Sequence, residues 1–186
     1  MSTLTVAVIS HDRLKKLEHL LYELKEQTLQ PDKVVVYCSG YESDVIDYLK
    51  NKYIHFTISP QPDRKDWGHE KRAIAFQECD TDYIATINDD DQYLFIYLEW
   101  MMQAAKLSNA GITYCDFATR TQPDFWVPAK LERGAISNGC MLLKNEVVKR
   151  IPYRHRTYAG DWFFVDDCMK AGITFHHVPH TMAFFY

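Results

Sequence analysis

Three consecutive carboxylates, Asp89, Asp90 and Asp91, follow the apolar segment 83–87 after a single polar residue, Asn88. Such an apolar run is typical of a buried strand, and ligands of open α/β sheets bind outside the carboxyl ends of the strands. Neighbouring carboxylates repel one another unless a cation neutralises them, and hard oxygen ligands suit Mg²⁺ or Mn²⁺. The pattern therefore favours a metal site that carries a phosphorylated substrate. A solvated acidic turn is the alternative.

The composition bounds the class of protein. With 186 residues the chain is most simply one domain, and its formal net charge of −4 does not indicate nucleic-acid binding. Its five cysteines are odd in number and form no CxxC pair, which favours reduced thiols over a disulfide framework or a zinc site. Neither a signal-peptide pattern nor an apolar run long enough to span a bilayer is present. We therefore expect a cytoplasmic protein without a membrane span.

Strand and helix patterns alternate along the first half of the chain, and the second half is more mixed. Predicted strands cover 3–10, 33–38, 53–58, 83–87, 111–115, 140–143 and 173–178. Predicted helices cover 13–28, 43–50, 68–78, 94–107, 146–150 and 161–171. This alternation predicts an α/β fold in which helices flank a central, mainly parallel sheet.

Several segments, taken in order, resemble the family 2 inverting glycosyltransferases with the GT-A fold. They are VAVISHDR at 6–13, QTLQPDKVVV at 27–36, DWGHEKR at 66–72, NDDD at 88–91, SNGCM at 137–141 and GDW at 160–162. These segments are similar to the family's first strand and turn, its Q-T-x-x-P segment, its D-x-G-x-x-x-K/R element, its D-x-D site, its later loop and strand, and its E-D motif. The resemblance implies a single Rossmann-like GT-A domain, with a nucleotide-sugar half at 1–115 and an acceptor and catalytic-base half at 116–186.

The resemblance also implies a nucleotide-sugar donor and a divalent metal, Mn²⁺ or Mg²⁺. The expected donor-binding residues are Ser10, His11, Arg13, Ser39, Asp66, Gly68, Arg72, Asp89 and Asp90. Departure of a nucleoside diphosphate requires a cation that stabilises its negative charge. Asp91 is expected as the direct metal ligand, Asp89 as a second ligand because both side chains can point the same way, and His177 as a C-terminal ligand.

Asp161 is the expected catalytic base, because an inverting transfer removes the acceptor's hydroxyl proton on the face opposite the leaving group. Asp161 also stands at the start of a predicted helix, where aspartate commonly caps the first turn, and the two roles are compatible. The acceptor is expected to bind along 116–138. Its expected contact residues are Trp126, Asn138, Gly139 and Trp162.

One stretch departs from the family pattern. Members usually carry an acidic pair after the second strand, whereas segment 37–41 contains no acid. A UDP-sugar is therefore favoured as the donor by family frequency alone. The sequence does not identify the molecule that carries the acceptor hydroxyl. A Mg²⁺-dependent nucleotidyltransferase is a second hypothesis, although the expected glycine-rich phosphate loop is missing from 10–13. A non-catalytic sugar-nucleotide-binding protein of the same fold is a third.

Overall fold

The computed structural model describes residues 2–120 and 125–186. Nine strands and six α-helices occur in these ranges. The strands are β1 (Leu4–His11), β2 (Lys33–Ser39), β3 (Thr57–Pro60), β4 (Tyr83–Asn88), β5 (Gln92–Tyr93), β6 (Ile112–Thr119), β7 (Trp126–Val127), β8 (Met141–Lys144) and β9 (Phe175–Phe185). The helices are α1 (Leu14–Lys25), α2 (Ser43–Lys52), α3 (His69–Glu78), α4 (Tyr97–Ser108), α5 (Asn145–Arg150) and α6 (Gly160–Lys170). None of these helices is long and apolar enough to cross a membrane.

The strands form one mixed sheet in the order β3-β2-β1-β4-β8-β6-β9-β5, with β7 paired to β6. Strands β1 to β4 are joined by parallel pairs, and β6 and β9 also run parallel. Strand β8 lies antiparallel between β4 and β6. The α/β fold with a mainly parallel, mixed central sheet is thus confirmed.

Continuous apolar runs place the central strands inside the sheet. Val6 and Val8 of β1 and Ile84 of β4 have no exposed surface, and Leu17 and Leu21 of α1 pack against this core. Strands buried on both faces have this composition because helices cover both sides of a parallel sheet. The core therefore holds the strand ends, and with them the polar residues that follow each strand, in fixed positions.

Two predicted elements begin three or more residues later than expected. The predicted strand at 53–58 begins only at Thr57, because Tyr53 closes α2 through its N–H to the Leu49 carbonyl, 2.9 Å away. The predicted helix at 94–107 begins at Tyr97, because the Leu94 N–H bonds to the Met182 carbonyl of β9 at 3.0 Å. In both cases a tertiary or capping contact decides the boundary.

The last strand is longer than predicted. It runs to Phe185 instead of ending at 178, with an irregularity where Val178 pairs with Cys115 but Thr181 pairs with Asp116. Pro179 lies in this interval, and proline cannot donate to a strand ladder. Pairing resumes beyond it, so β9 reaches β5 and brings the last residues of the chain beside the acidic cluster.

The carboxyl ends of β1, β2 and β4 meet at one edge of the sheet. Ile9 pairs with Asn88, and His11 pairs with Ser39. Polar residues at the ends of three different strands therefore lie together. They lie at the edge of the sheet where open α/β folds bind their ligands.

Gly68 allows α3 to begin directly against β1. It has a φ of +77°, and a Cβ atom there would lie 2.6 Å from Cγ2 of Ile9. We expect Gly68→Ala to lower the free energy of unfolding by about 2–4 kcal/mol, through left-handed strain and overpacking. Urea denaturation measures this loss.

Gly172→Ala is the matched control. Gly172 has a similar φ of +74°, but nothing lies within 4 Å of its Cβ position, so only the left-handed strain of about 1–2 kcal/mol applies. Equal losses for the two variants would show that the contact with Ile9 costs nothing.

Candidate active site

Arg13 bridges the first two carboxylates of the acidic cluster. The Asp89 side chain is buried. It accepts a hydrogen bond from Ser10 Oγ at 2.7 Å and forms an ion pair with Arg13 Nη2 at 2.5 Å. The other guanidinium nitrogen, Nη1, pairs with Asp90. Burial raises the pKa of Asp89, while Ser10 and Arg13 oppose that rise. Two of the three acids therefore already have a positive partner from the chain.

Asp91 is different, because no Lys or Arg of the described residues forms a salt bridge with it. Its side chain accepts a hydrogen bond from Asn88 Nδ2 at 2.7 Å and is only 6% exposed. Burial raises the pKa of Asp91 to about 7. A buried carboxylate without a cationic partner has the charge and the oxygen donors that a divalent cation requires. The described residues contain no group of three or more His, Cys, Asp or Glu side chains suited to holding a metal.

Arg72 is a buried cation on the first turns of α3, 5% exposed. Its Nη1 donates to the Trp67 carbonyl at 2.8 Å, and its Nη2 donates to Asn88 Oδ1. Its Nε is buried without a hydrogen-bond partner, and within the described ranges no carboxylate pairs with it. A guanidinium held by neutral acceptors alone keeps its full charge available to an anion such as a diphosphate.

Asp161 lies in the first turn of α6 but does not cap that helix. Its Oδ2 accepts from Ser137 Oγ at 3.3 Å and from the Asn138 N–H at 3.0 Å. Its Oδ1 accepts from Asn138 Nδ2 at 2.8 Å and from the Tyr153 hydroxyl at 3.1 Å. All four contacts are donors, which an ionised carboxylate accepts. Asp161 is therefore fixed by residues outside its own helix while 24% of its side chain stays exposed.

The residues behind Asp161 were not singled out from the sequence. Tyr153 and His69 are both buried, and the Tyr153 hydroxyl lies 2.9 Å from His69 Nδ1. Burial, reinforced by the charge of Arg72, lowers the pKa of His69, while Asp161 opposes that shift. A histidine inside the 66–72 motif was the one available signal, since His69 precedes Arg72 by about one helical turn.

Helix α3 connects the two parts of the site. From one side of the helix, Arg72 reaches Asn88 next to Asp91, and His69 reaches Tyr153 next to Asp161. The acidic cluster and Asp161 are thus linked through neighbouring residues of a single rigid element.

The other residues expected at the donor site fall into two groups. Ser39 and His11 lie together at the strand ends, with Ser39 Oγ 3.1 Å from His11 Nδ1. Asp66 instead accepts from the N–H groups of Gly68 at 3.1 Å and Glu70 at 2.7 Å, so it orients the start of α3. Sequence reasoning missed Tyr41, whose hydroxyl is 2.6 Å from Ser10 Oγ.

The residues expected to bind the acceptor are also in two groups. Asn138 and Gly139 are buried. A Cβ atom on Gly139 would lie 2.9 Å from the Tyr93 hydroxyl, so a glycine at this position allows the close packing. Trp126 is 56% exposed beside Phe184, and Trp162 packs partly against the core. Residues 121–124 of the expected acceptor stretch lie outside the described residues.

His177 does not lie at the acidic cluster. Its Nε2 is 2.7 Å from Asp116 Oδ1, and its ring stacks on Tyr114. It pairs with Tyr114, whereas the end of β9 near Asp91 pairs with Thr119, five residues further along β6. Five residues of extended chain span roughly 16 Å. The expectation of His177 as a metal ligand is therefore wrong for this arrangement.

A comparison with known families identifies the chain. The sequence profile described as glycosyl transferase family 2 matches residues 5–184. The chain belongs to this family. No curated protein matches it in sequence.

Solved structures with the same fold are remote in sequence. TarS of S. aureus, residues 1–349 in complex with UDP-GlcNAc, superposes with a TM-score of 0.81 at 12% identity, covering 99% of this chain and 58% of that one. The mannosyltransferase PcManGT of Pyrobaculum calidifontis, in complex with GDP-Man and Mn²⁺, gives 0.73 at 14% identity, covering 98% and 56%. A longer TarS structure is covered to 36%. The chain thus spans about a third to three fifths of the length of these relatives, which have the GT-A fold.

The lowered pKa of His69 makes the stability of the protein depend on pH. Below the ordinary value of 6.5 the unfolded chain protonates this ring while the folded chain keeps it neutral. The free energy of unfolding should therefore decrease as the pH falls from 7.5 to 5.5. We expect His69→Gln to make this decrease smaller, as measured by urea denaturation across that range. His55→Gln, at an exposed position, is the control, and its free energy of unfolding should change with pH as that of the wild type does. The same pH dependence in His69→Gln would contradict the lowered pKa of His69.

Proposed function

We propose that this chain is a metal-dependent inverting glycosyltransferase that moves a sugar from a nucleotide-sugar donor to an acceptor hydroxyl. One observation carries the proposal. The buried cation Arg72 and the buried acid Asp91 both contact Asn88 at the carboxyl end of β4, and neither has an ionic partner among the described residues. A diphosphate and a divalent cation supply the two missing charges together.

The donor's diphosphate is assigned to Arg72, because a buried guanidinium can donate two parallel hydrogen bonds to phosphate oxygens. The nucleoside is assigned to the ends of β1 and β2, where Ser10, His11 and Ser39 lie, next to Arg13. One neighbour binds UDP-GlcNAc and another binds GDP-Man. We favour a UDP-sugar on family frequency alone.

The residues present fit a divalent cation at Asp91. This carboxylate is buried and lacks a positive partner in the described part of the chain, and Mn²⁺ is bound to PcManGT. Mg²⁺ and Mn²⁺ are commonly held by one or two carboxylates together with substrate phosphates and water. We assign Asp89 and Asp90 to the donor site rather than to the ion, because Arg13 already pairs with both. When bound, the ion would stabilise negative charge on the departing diphosphate.

Asp161 is proposed as the catalytic base. It takes the proton of the acceptor hydroxyl while the hydroxyl oxygen bonds to the anomeric carbon and the bond from that carbon to the phosphate oxygen breaks. The four donors around the carboxylate fix its orientation, and its exposed fraction leaves it open to an acceptor. The acceptor itself is proposed to bind beside Trp162 and Trp126.

The metal assignment predicts a specific loss in Asp91→Asn. Thermal unfolding is followed with UDP, GDP and CMP, each with and without Mn²⁺. For the wild type, one nucleotide with Mn²⁺ at about 100 times the dissociation constant should raise the melting temperature by about 5–10 °C. Asp91→Asn should lose the increment due to Mn²⁺ and keep the shift due to the nucleotide. Asp47→Asn, on the exposed face of α2, should behave like the wild type. An unchanged Mn²⁺ increment in Asp91→Asn would exclude this residue as a ligand.

The base assignment predicts that Asp161→Asn abolishes turnover but not binding. Release of nucleoside diphosphate from a panel of nucleotide sugars should fall about 100-fold or more. The affinity for nucleotide and Mn²⁺, measured by titration calorimetry, should stay within twofold. Asp166→Asn, on the same helix and paired with Lys170, is the matched control and should turn over normally.

The stereochemistry of the same reaction tests inversion. Proton NMR of the released sugar, recorded before the anomers equilibrate, should show the anomer opposite to that of the donor. Retained configuration, or normal turnover by Asp161→Asn, would refute the single-base mechanism.

A further inference from the structure

We infer that Tyr153 and His69 are positioning residues that hold Asp161 in the orientation in which it accepts a proton. The inference rests on the proposed function and adds residues that neither touch the donor nor react. The observation behind it is the buried hydroxyl of Tyr153, which lies within hydrogen-bond distance of Asp161, Asn138 and His69.

The hydrogen-bond inventory of Tyr153 fixes the direction of each bond. The hydroxyl has a single proton, which it donates to Asp161 Oδ1 at 3.1 Å. It accepts from Asn138 Nδ2 at 2.7 Å. His69 Nδ1, 2.9 Å away, must then also donate to the hydroxyl oxygen. This inventory therefore places a proton on Nδ1 of His69.

The other ring nitrogen is consistent with this tautomer. His69 Nε2 is buried and has no hydrogen-bond partner. The Thr157 carbonyl favours the charged form of the ring and opposes the lowering of its pKa, but no hydrogen bond joins it to Nε2. A buried N–H without an acceptor costs more than a buried lone pair, so the proton belongs on the side of Tyr153.

Packing holds this imidazole rigidly against the start of α6. A Cβ atom on Gly160 would lie 2.7 Å from Cε1 and 2.8 Å from Nε2 of His69, so the ring fills the space that a side chain would occupy. The next residue is Asp161. Arg156 Nη1 also donates to the backbone carbonyls of His69 at 2.9 Å and of Tyr153 at 3.2 Å. The imidazole, the phenol and the base are thus held as one unit.

Tyr153→Phe tests the inference because it removes the hydroxyl and keeps the ring that packs on Phe76 and Phe164. We expect kcat for donor turnover to fall about tenfold, as for a lost hydrogen bond to a charged group. The acid limb of the pH–rate profile should move to higher pH, because the carboxylate loses a donor that favours its ionised form. Affinity for nucleotide and Mn²⁺ should stay within twofold. Tyr158→Phe, an exposed tyrosine of the same loop, is the matched control and should leave both readouts unchanged.

An NMR measurement tests the same inference without turnover. Nitrogen-15 shifts of the histidine rings in the full chain report which nitrogen carries the proton, and His69→Gln identifies the relevant signal. We expect His69 to be protonated at Nδ1 at pH 7.5 in the wild type. A proton on Nε2 would direct the Tyr153 hydroxyl to His69 instead of Asp161 and would overturn the inference.

The two proposals fail in different ways. If the wild type turned over no nucleotide sugar, the proposed function would be contradicted. The position of the ring proton of His69 would still show whether the Tyr153 hydroxyl donates to Asp161. Normal wild-type turnover with an unchanged rate and pH profile in Tyr153→Phe would contradict the positioning role alone.

Discussion

A buried positive charge that has no carboxylate partner among the described residues dominates this structure. Arg72 is held by a backbone carbonyl and an amide oxygen, and the same amide group binds the buried acid Asp91. Removing charges from water is costly unless they are paired, so an arrangement of this kind is expected where a ligand supplies the counter-charge. Asn88 lies between the two charged side chains and forms a hydrogen bond with each of them.

Helix α3 turns this local arrangement into a site with two sides. Its start is pressed against β1, its Arg72 faces the acidic cluster, and its His69 faces the residues that support Asp161. The acidic cluster and the surroundings of Asp161 therefore share one rigid connector. A displacement of α3 would disturb both sides together. Asp66 and Gly68 hold the start of this helix, through two hydrogen bonds and a close approach to Ile9.

The sequence predicted what depends on local pattern. Composition and spacing mark the apolar strands β1, β2 and β4 and the acidic cluster after β4. Asp161, at the start of α6, was indicated by the resemblance to the family's E-D motif. Contacts between distant segments were not predictable in this way. His69 and Tyr153 are 84 positions apart, and the register of β9 shifts only beyond Val178. His177 pairs with Tyr114, five positions before the partner of Phe185 at the end of β9. Partner choice there depends on how strands align, which no single stretch of sequence encodes.

The ion pairs of Arg13 make the three neighbouring acids unequal towards a free cation. Since this guanidinium already neutralises Asp89 and Asp90, a free cation approaching these two acids must compete with a tethered one that is present at very high local concentration. Asp91 forms no ion pair within the described residues, so an incoming cation meets no such competitor there. Of three neighbouring acids, the ion pairs of Arg13 thus leave one carboxylate accessible to a second cation.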